Sequence, residues 1–211
     1  MLKYKLGKNI KTGEIISIQE ASKGLSCDCI CPDCEKEFIA AQGEKNDWHF
    51  RHYKETDCAG GQETALHILA KKILTDNSKI YLPRYGEIVY ENPIPEKYFK
   101  NIKPDITATI NGHNLFFEIL VTHPVDSDKE NFFMQNECKS VEIDLKNFNF
   151  LSFENLKKEI LDNIENKRVI YWEKEERKDN FLLIILLFIL GLFTAIWLKS
   201  KMRYKRRRRY S

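Results

Sequence analysis

Two groups of side chains in this 211-residue chain have the types and spacing for chemistry. The first is thiol and imidazole: Cys31-Pro-Asp-Cys34, then His49-Phe-Arg-His52, then Cys58. A CxxC turn aims two thiolates at one tetrahedral ion, and His49, His52 and Cys58 are three candidates for the two remaining positions of a structural Zn2+ site. A redox pair is the alternative for an isolated CxxC, but thiol and imidazole gathered in one short span favour zinc. His49 and His52 share a face on a helix but not on a strand, so spacing leaves the closing ligands open. Cys27 and Cys29 are surplus to such a site.

The second group is carboxylate. Asp105 and Glu118 stand on either side of Asn111-Gly112, in two alternating apolar runs spanning 103–123. Glu118 sits in Leu-Phe-Phe-Glu-Ile-Leu, and a carboxylate on an otherwise apolar strand is costly to desolvate unless something pairs with it. Two convergent carboxylates suit a hard divalent cation such as Mg2+; two solvated acids on a half-exposed hairpin are the alternative. Glu63, His67 and Lys71 follow one another at i, i+4 and i+8, a stripe of mixed sign that reads as a solvated helix edge or, beside strand carboxylates, as a metal ligand and general acid-base groups.

The elements that must position these groups are legible from pattern. Asn-Gly between alternating runs predicts a tight β-hairpin. Residues 60–74 predict a helix opening after Gly60-Gly61, with Leu66, Leu69, Ala70, Ile73 and Leu74 on its buried face. Short strands are expected before residue 26 and over 80–91, and an extended loop at 92–95, where two prolines fall. A short helix is expected over 125–134 carrying Lys129, then a strand at 140–145, a helix at 153–165 and a last strand at 168–172. This order predicts an α/β or α+β fold around a mixed sheet. The expected division is an N-terminal zinc-binding β module at 1–59, an α/β domain at 60–172, a charged linker at 173–180, a transmembrane helix at 181–198 and a polybasic tail at 199–211.

Six cysteines, five of them between Cys27 and Cys58, and no secretory signal pattern at residues 1–4 favour reduced thiols and metal ligation over disulfides. The net charge of +3 is misleading, because the tail supplies eight Lys and Arg and no acid, leaving 26 basic against 31 acidic residues elsewhere, a net of −5. A nucleic-acid site in the body must therefore be a local basic patch. Residues 181–198 are 18 uncharged, mostly apolar residues, near the lower limit for crossing a bilayer. The basic tail argues for a cytoplasmic C-terminus, which would send a zinc-binding domain across the membrane. The domain is instead expected on the cytoplasmic side, as an exception to the charge rule. A segment lying against the membrane or packing on a partner would remove the conflict. The tail suits anionic lipid headgroups as readily as DNA.

The order of Cys31-Pro-Asp-Cys34, His49-Phe-Arg-His52, Glu63-Thr-Ala-Leu-His67 with Lys71, and Pro104-Asp105 to Glu118 resembles the CoiA-like competence proteins over about residues 1–172. That resemblance implies a zinc-ribbon-like N-terminal part followed by a restriction-endonuclease-like PD-(D/E)XK nuclease fold. It also implies a metal-dependent nuclease acting on DNA, with Mg2+ or Mn2+ as catalytic ion. The superfamily's helix acid, strand-head Asp and second strand acid fall on Glu63, Asp105 and Glu118. Its lysine falls on Leu120, which can do none of a lysine's work, so Lys129, Lys71 or His67 must supply the group or the activity has been lost. A non-catalytic DNA-binding or adaptor protein, or a membrane-tethered protein whose zinc module recruits a partner, are the alternatives.

Overall fold

Asn111 and Gly112 both take positive φ, 50° and 78°, the geometry a two-residue hairpin turn requires. They join strands Ile106–Ile110 and His113–Leu120 in antiparallel register, with His113 opposite Ile110 and Phe117 opposite Ile106. The computed structural model describes residues 3–173 and Thr194. The chain divides into two units, Met1–Glu173 and Lys174–Ser211, and every strand and helix named here belongs to the first. The expected linker beyond Glu173, the transmembrane segment 181–198 apart from Thr194, and the tail 199–211 lie outside the described residues. Among the described residues no helix is long and apolar enough to cross a membrane.

In chain order the strands and helices are β1 (Leu6–Asn9), β2 (Ile15–Ser17), β3 (Cys29–Ile30), β4 (Phe38–Ala41), β5 (His49–His52), α1 (Gly61–Asp76), β6 (Lys79–Leu82), β7 (Gly86–Val89), β8 (Glu91–Pro95), β9 (Ile106–Ile110), β10 (His113–Leu120), α2 (Ser127–Gln135), β11 (Lys139–Asp144), α3 (Phe153–Leu161) and β12 (Lys167–Tyr171). A five-stranded sheet runs β12-β11-β10-β9-β8, antiparallel except where β10 and β11 pair in parallel through the α2 crossover. The mixed α+β architecture expected from the pattern is thus present.

Alternation along β10 divides its side chains between two cores. Leu115, Phe117 and Ile119 join Val141 and Ile143 of β11, Leu66, Leu69 and Leu74 of α1, and Leu156 and Ile160 of α3 in the larger one. Phe116 turns the other way to meet Phe133 of α2, Cys138 and Ile170. Both faces of the central strand are therefore buried, and Glu118, on the Phe116 face by period two, is buried with them.

The N-terminal strands form a three-stranded sheet β2-β1-β3 and the hairpin β4-β5. Tyr4 and Phe50 exchange backbone hydrogen bonds of 3.0 and 2.7 Å that join them. Phe38 stacks between Tyr4 and Phe50 in the small core there.

Two expectations need correction. Residues 92–95 are not a loop: β8 pairs with β9 as the outer strand of the sheet. Pro93 and Pro95 are tolerated there because an edge strand leaves one row of amides without ladder partners, and the register shifts between Glu91 and Ile94. The helix expected to reach 165 ends at Leu161. The Asn166 amide donates to Glu159 O at 3.1 Å and that of Asn163 to Glu159 Oε1 at 2.9 Å, so side chains serve groups of the last turn and release the backbone.

Candidate functional site

The cysteine and histidine cluster is assembled from four places in the chain. Cys31 leaves β3, and Cys34 follows in a tight turn closed by Glu35 N donating to Cys31 O at 3.0 Å. His52 ends β5, and Cys58 precedes α1. One ligand atom from each lies within 4.8 Å of all the others. Cys31 Sγ is 3.6 Å from Cys58 Sγ, and Cys34 Sγ is 3.3 Å from His52 Nε2. A tetrahedral zinc with Zn–S of about 2.3 Å and Zn–N of about 2.0 Å sets ligand-to-ligand edges of roughly 3.5–3.8 Å, close to those separations. All six cysteines are free.

His49 is outside the cluster. Because residues 49–52 form a strand, His49 and His52 face opposite ways. His52 points inward with its ring edge on Phe38 and Tyr4, while His49 Nδ1 lies 2.8 Å from Asp47 O. Cys27 and Cys29 are buried in the small core instead.

The electrostatics suit a cation. Burial lowers the His52 pKa, with Lys36 adding to it, which keeps the imidazole neutral as a ligand must be. Burial raises the Cys31 thiol, and burial together with the Asp33 carboxylate raises Cys58 to about 12. A cation among these thiols would favour their ionised forms. The four residues therefore can hold a structural zinc.

The carboxylate pair sits at one end of β9 and β10. One further step of the hairpin register brings Asp105 beside Glu118. Asp105 Oδ2 accepts Ile119 N at 2.8 Å and lies 3.1 Å from His67 Nε2 on α1. An ionised carboxylate only accepts, so that ring nitrogen carries the proton. Burial pushes the Asp105 carboxyl up, but the bonds from His67 and Ile119 and the charges of His67 and Lys71 outweigh it and hold the group below its ordinary value.

Glu118 is 5% exposed. Its Oε2 accepts Lys129 Nζ of α2 at 2.7 Å, and the same ammonium donates to Lys103 O at 3.0 Å. Its Oε1 is buried with no hydrogen-bond partner among the described residues. Burial drives the carboxyl up to about 8; Lys129 opposes this, and Asp105 and Glu142 add to it. A buried carboxylate oxygen without a donor is costly, and a cation beside it would offset that cost. The donor set of Asp105 and Glu118, all oxygen, fits a hard divalent ion.

The remaining predicted residues divide. Lys71 does not reach the acids; its Nζ donates to Glu96 Oε1 at 2.6 Å, and Lys103 Nζ donates to Glu96 Oε2 at 2.6 Å. Lys103 and Lys71 hold the Glu96 carboxyl down at about 2. Glu63 is exposed on α1, and its side chain makes no hydrogen bond or ion pair among the described residues. The three-carboxylate set expected of Glu63, Asp105 and Glu118 is therefore not assembled, since the only group of three or more metal-type side chains within 4.8 Å among the described residues is the cysteine and histidine one.

Sequence reasoning missed Glu142. The parallel register sets it directly beside Glu118 on the same face. Val125 N donates to its Oε2 at 2.8 Å and Arg168 Nε to its Oε1 at 3.1 Å, while Arg168 also forms a two-bond pair with Glu130 of α2. In Ser-Val-Glu-Ile-Asp it reads as an outward residue of a one-sided strand. Only the presence of α2 on that face makes it a buried, fully bonded acid.

A zinc-type module beside an α+β sheet with a buried acid pair is the class of protein this arrangement defines. Residues 14–60 match the family model of the competence protein CoiA, N-terminal domain. That segment contains all four clustered ligands, so the likeness to the CoiA N-terminal domain covers the cysteine and histidine module and leaves the five-stranded sheet uncovered. No curated protein and no solved structure matches the chain.

Proposed function

We propose that the chain is a metal-dependent nuclease acting on DNA, in which Asp105 and Glu118 hold Mg2+ or Mn2+ and Lys129 is the cation beside the attacking water. The observation that carries this reading is Glu118 Oε1, a buried carboxylate oxygen with no hydrogen-bond partner among the described residues, next to a second acid and an ammonium. A divalent ion there lowers the pKa of a bound water and stabilises charge building on the phosphate.

Each side chain has a defined task. The His67 ring and Ile119 N fix the Asp105 carboxylate in its ionised form, with Oδ2 occupied. Lys129 does in space what the resemblance expects of position 120, where Leu120 stands; its Nζ reaches Glu118 from α2 rather than from the next position along β10. Glu142, fully bonded by Val125 and Arg168, braces β11 against α2 and β12 rather than binding anything. Glu63 is given no part. The zinc site ties the turn after β3 to the start of α1 and so fixes the helix that carries His67.

Residues 181–198 are proposed as a single-pass anchor that keeps this domain at the cytoplasmic face, with the 199–211 tail on anionic headgroups. The experiment is DNA digestion by the full-length protein in detergent with Mg2+ or Mn2+. Cutting should vanish in Asp105→Ala and Glu118→Ala while circular dichroism stays unchanged; cutting that survives both substitutions would sink the assignment. DNA binding with no cleavage in any divalent metal would favour the non-catalytic adaptor reading, and absence of DNA binding the partner-recruiting one.

A further inference from the structure

The body of the chain is acidic, yet the segment entering Asp105 reads Lys97-Tyr-Phe-Lys-Asn-Ile-Lys103, three cations and two aromatics without an acid. The structure sorts these residues into anchors and outward groups. Phe99 and Ile102 exchange backbone hydrogen bonds of 2.9 and 3.1 Å, closing a tight turn. Both pack against the core under α2, where the Phe99 ring is 5.0 Å from that of Phe116. Lys129 Nζ on Lys103 O and Glu96 N on Asp105 O, 3.0 and 2.9 Å, pin the far end of the segment to the acid pair.

What faces outward is a basic and aromatic surface. Tyr98 is 70% exposed, more than any other tyrosine among the described residues. Lys103 Nζ lies 5.9 Å from the centre of that ring while it donates to Glu96 Oε2 at 2.6 Å, and the exposed Lys97 ammonium has no partner among the described residues. Lys100 donates to Asn136 Oδ1 at 2.6 Å and stands over Phe99 and Phe132. Beside the segment, a groove of about 740 Å3 runs between residues 101–103 and α2, with Asp126, Asp128, Lys129, Asn131 and Gln135 along its α2 side.

We propose that residues 97–103 are a docking element for single-stranded DNA, with the Tyr98 ring stacking on an unpaired base and Lys97, Lys100 and Lys103 following the phosphates toward Asp105. Charge complementarity singles out a polyanion here, since the rest of the body would repel one. The exposed ring singles out a single strand, because a duplex covers both faces of each base while an unpaired base leaves one free for an aromatic side chain. The core-anchored turn presents these groups already ordered, so little conformational freedom is lost on binding. The inference rests on the nuclease reading only for the fate of the strand once bound.

The test is fluorescence anisotropy with full-length protein in detergent, a labelled thymidine oligonucleotide and a duplex of equal length, without added divalent metal. Tyr98→Ala should weaken single-strand binding about tenfold and duplex binding far less, Tyr98→Trp should restore it, and Lys97→Ala with Lys100→Ala should flatten its salt dependence. Tyr98→Ala that leaves single-strand affinity within about twofold, or that weakens duplex equally, overturns the proposal. Because Tyr98 projects into solvent, an unchanged melting temperature separates lost binding from lost fold. A protein that binds in this way but never cuts would refute the nuclease reading alone; one that cuts single strands equally well with Tyr98→Ala would refute this inference alone.

Discussion

Lys129 on α2 donates to Glu118 on β10 at 2.7 Å, and thereby brings an ammonium to the strand acid from the helix on the opposite side of the crossover loop. Leu120, two positions beyond Glu118 on β10, is buried and apolar. If Lys129 serves the attacking water, Lys129→Met should cut DNA at least 100-fold more slowly with nearly unchanged strand affinity, the size expected when a proton-handling group is lost. Single-turnover cleavage rates alongside binding isotherms check this. A rate within about threefold of wild type would remove Lys129 from the mechanism.

Glu118 gives a pH dependence of definite sign. Its carboxyl is raised by burial from 4.5 to about 8. Between those values the folded state keeps a proton that the unfolded chain has lost, so stability falls as pH rises through that window and levels off above about 8. Replacing the carboxyl by an amide removes this slope. Glu118→Gln should therefore be more stable than wild type at pH 8 by on the order of a few kcal/mol and should converge with it near pH 5, read from denaturant unfolding across that range. Mg2+ should raise the wild-type melting temperature at pH 8 and leave the variant unmoved. A slope that survives the substitution would assign the titration to another group.

Much of this geometry is legible in the chain, for local reasons. Asn111-Gly112 dictates its turn through backbone conformation alone, and alternation along β10 places Glu118 on one face before any partner is known. What is not legible depends on elements distant in sequence. Glu142 reads as a solvent-facing acid because nothing local announces that α2 covers that side of β11. The prolines of β8 read as a loop because the sequence does not say which strand will be outermost. Lys71 and Glu63 belong to one helical stripe with His67, but only His67 reaches Asp105; Lys71 is taken by Glu96 from β8's far end. Helical periodicity fixes which residues share a face and leaves their partners undetermined.

The metal content of the N-terminal module follows from the strand geometry of residues 49–52. Full-length protein should carry one zinc per chain by elemental analysis. Cys31→Ser, Cys34→Ser, His52→Ala and Cys58→Ser should each lower that occupancy and weaken folding, because the remaining thiols stay buried without their ion. His49→Ala should retain full zinc, since its ring faces away and Nδ1 is near Asp47 O at 2.8 Å. Loss of zinc in His49→Ala with retention in His52→Ala would reverse the ligand assignment.

The two glycines that open α1 are constrained by the same cluster. A Cβ at Gly61 would stand 2.8 Å from Cys31 Sγ, and one at Gly60 would stand 2.7 Å from Asp33 Oδ2. The second clash is relieved by rotating an Asp33 side chain that reaches Cys58. The first is not, because Cys31 is wholly buried and its sulfur is held by the site. Alanine normally favours a helix over glycine by about 1 kcal/mol, so propensity alone predicts that Gly61→Ala stabilises α1, whereas Gly60 is the N-cap, where glycine is preferred over alanine. Overpacking costs typically 1–3 kcal/mol and acts at Gly61 with no room to relax. Gly61→Ala should therefore lower the melting temperature and weaken zinc retention against a chelator, while Gly60→Ala should do so less or not at all. A zinc-loaded Gly61→Ala protein as stable as wild type would mean that Cys31 is free to move, and with it the turn that anchors the helix bearing His67.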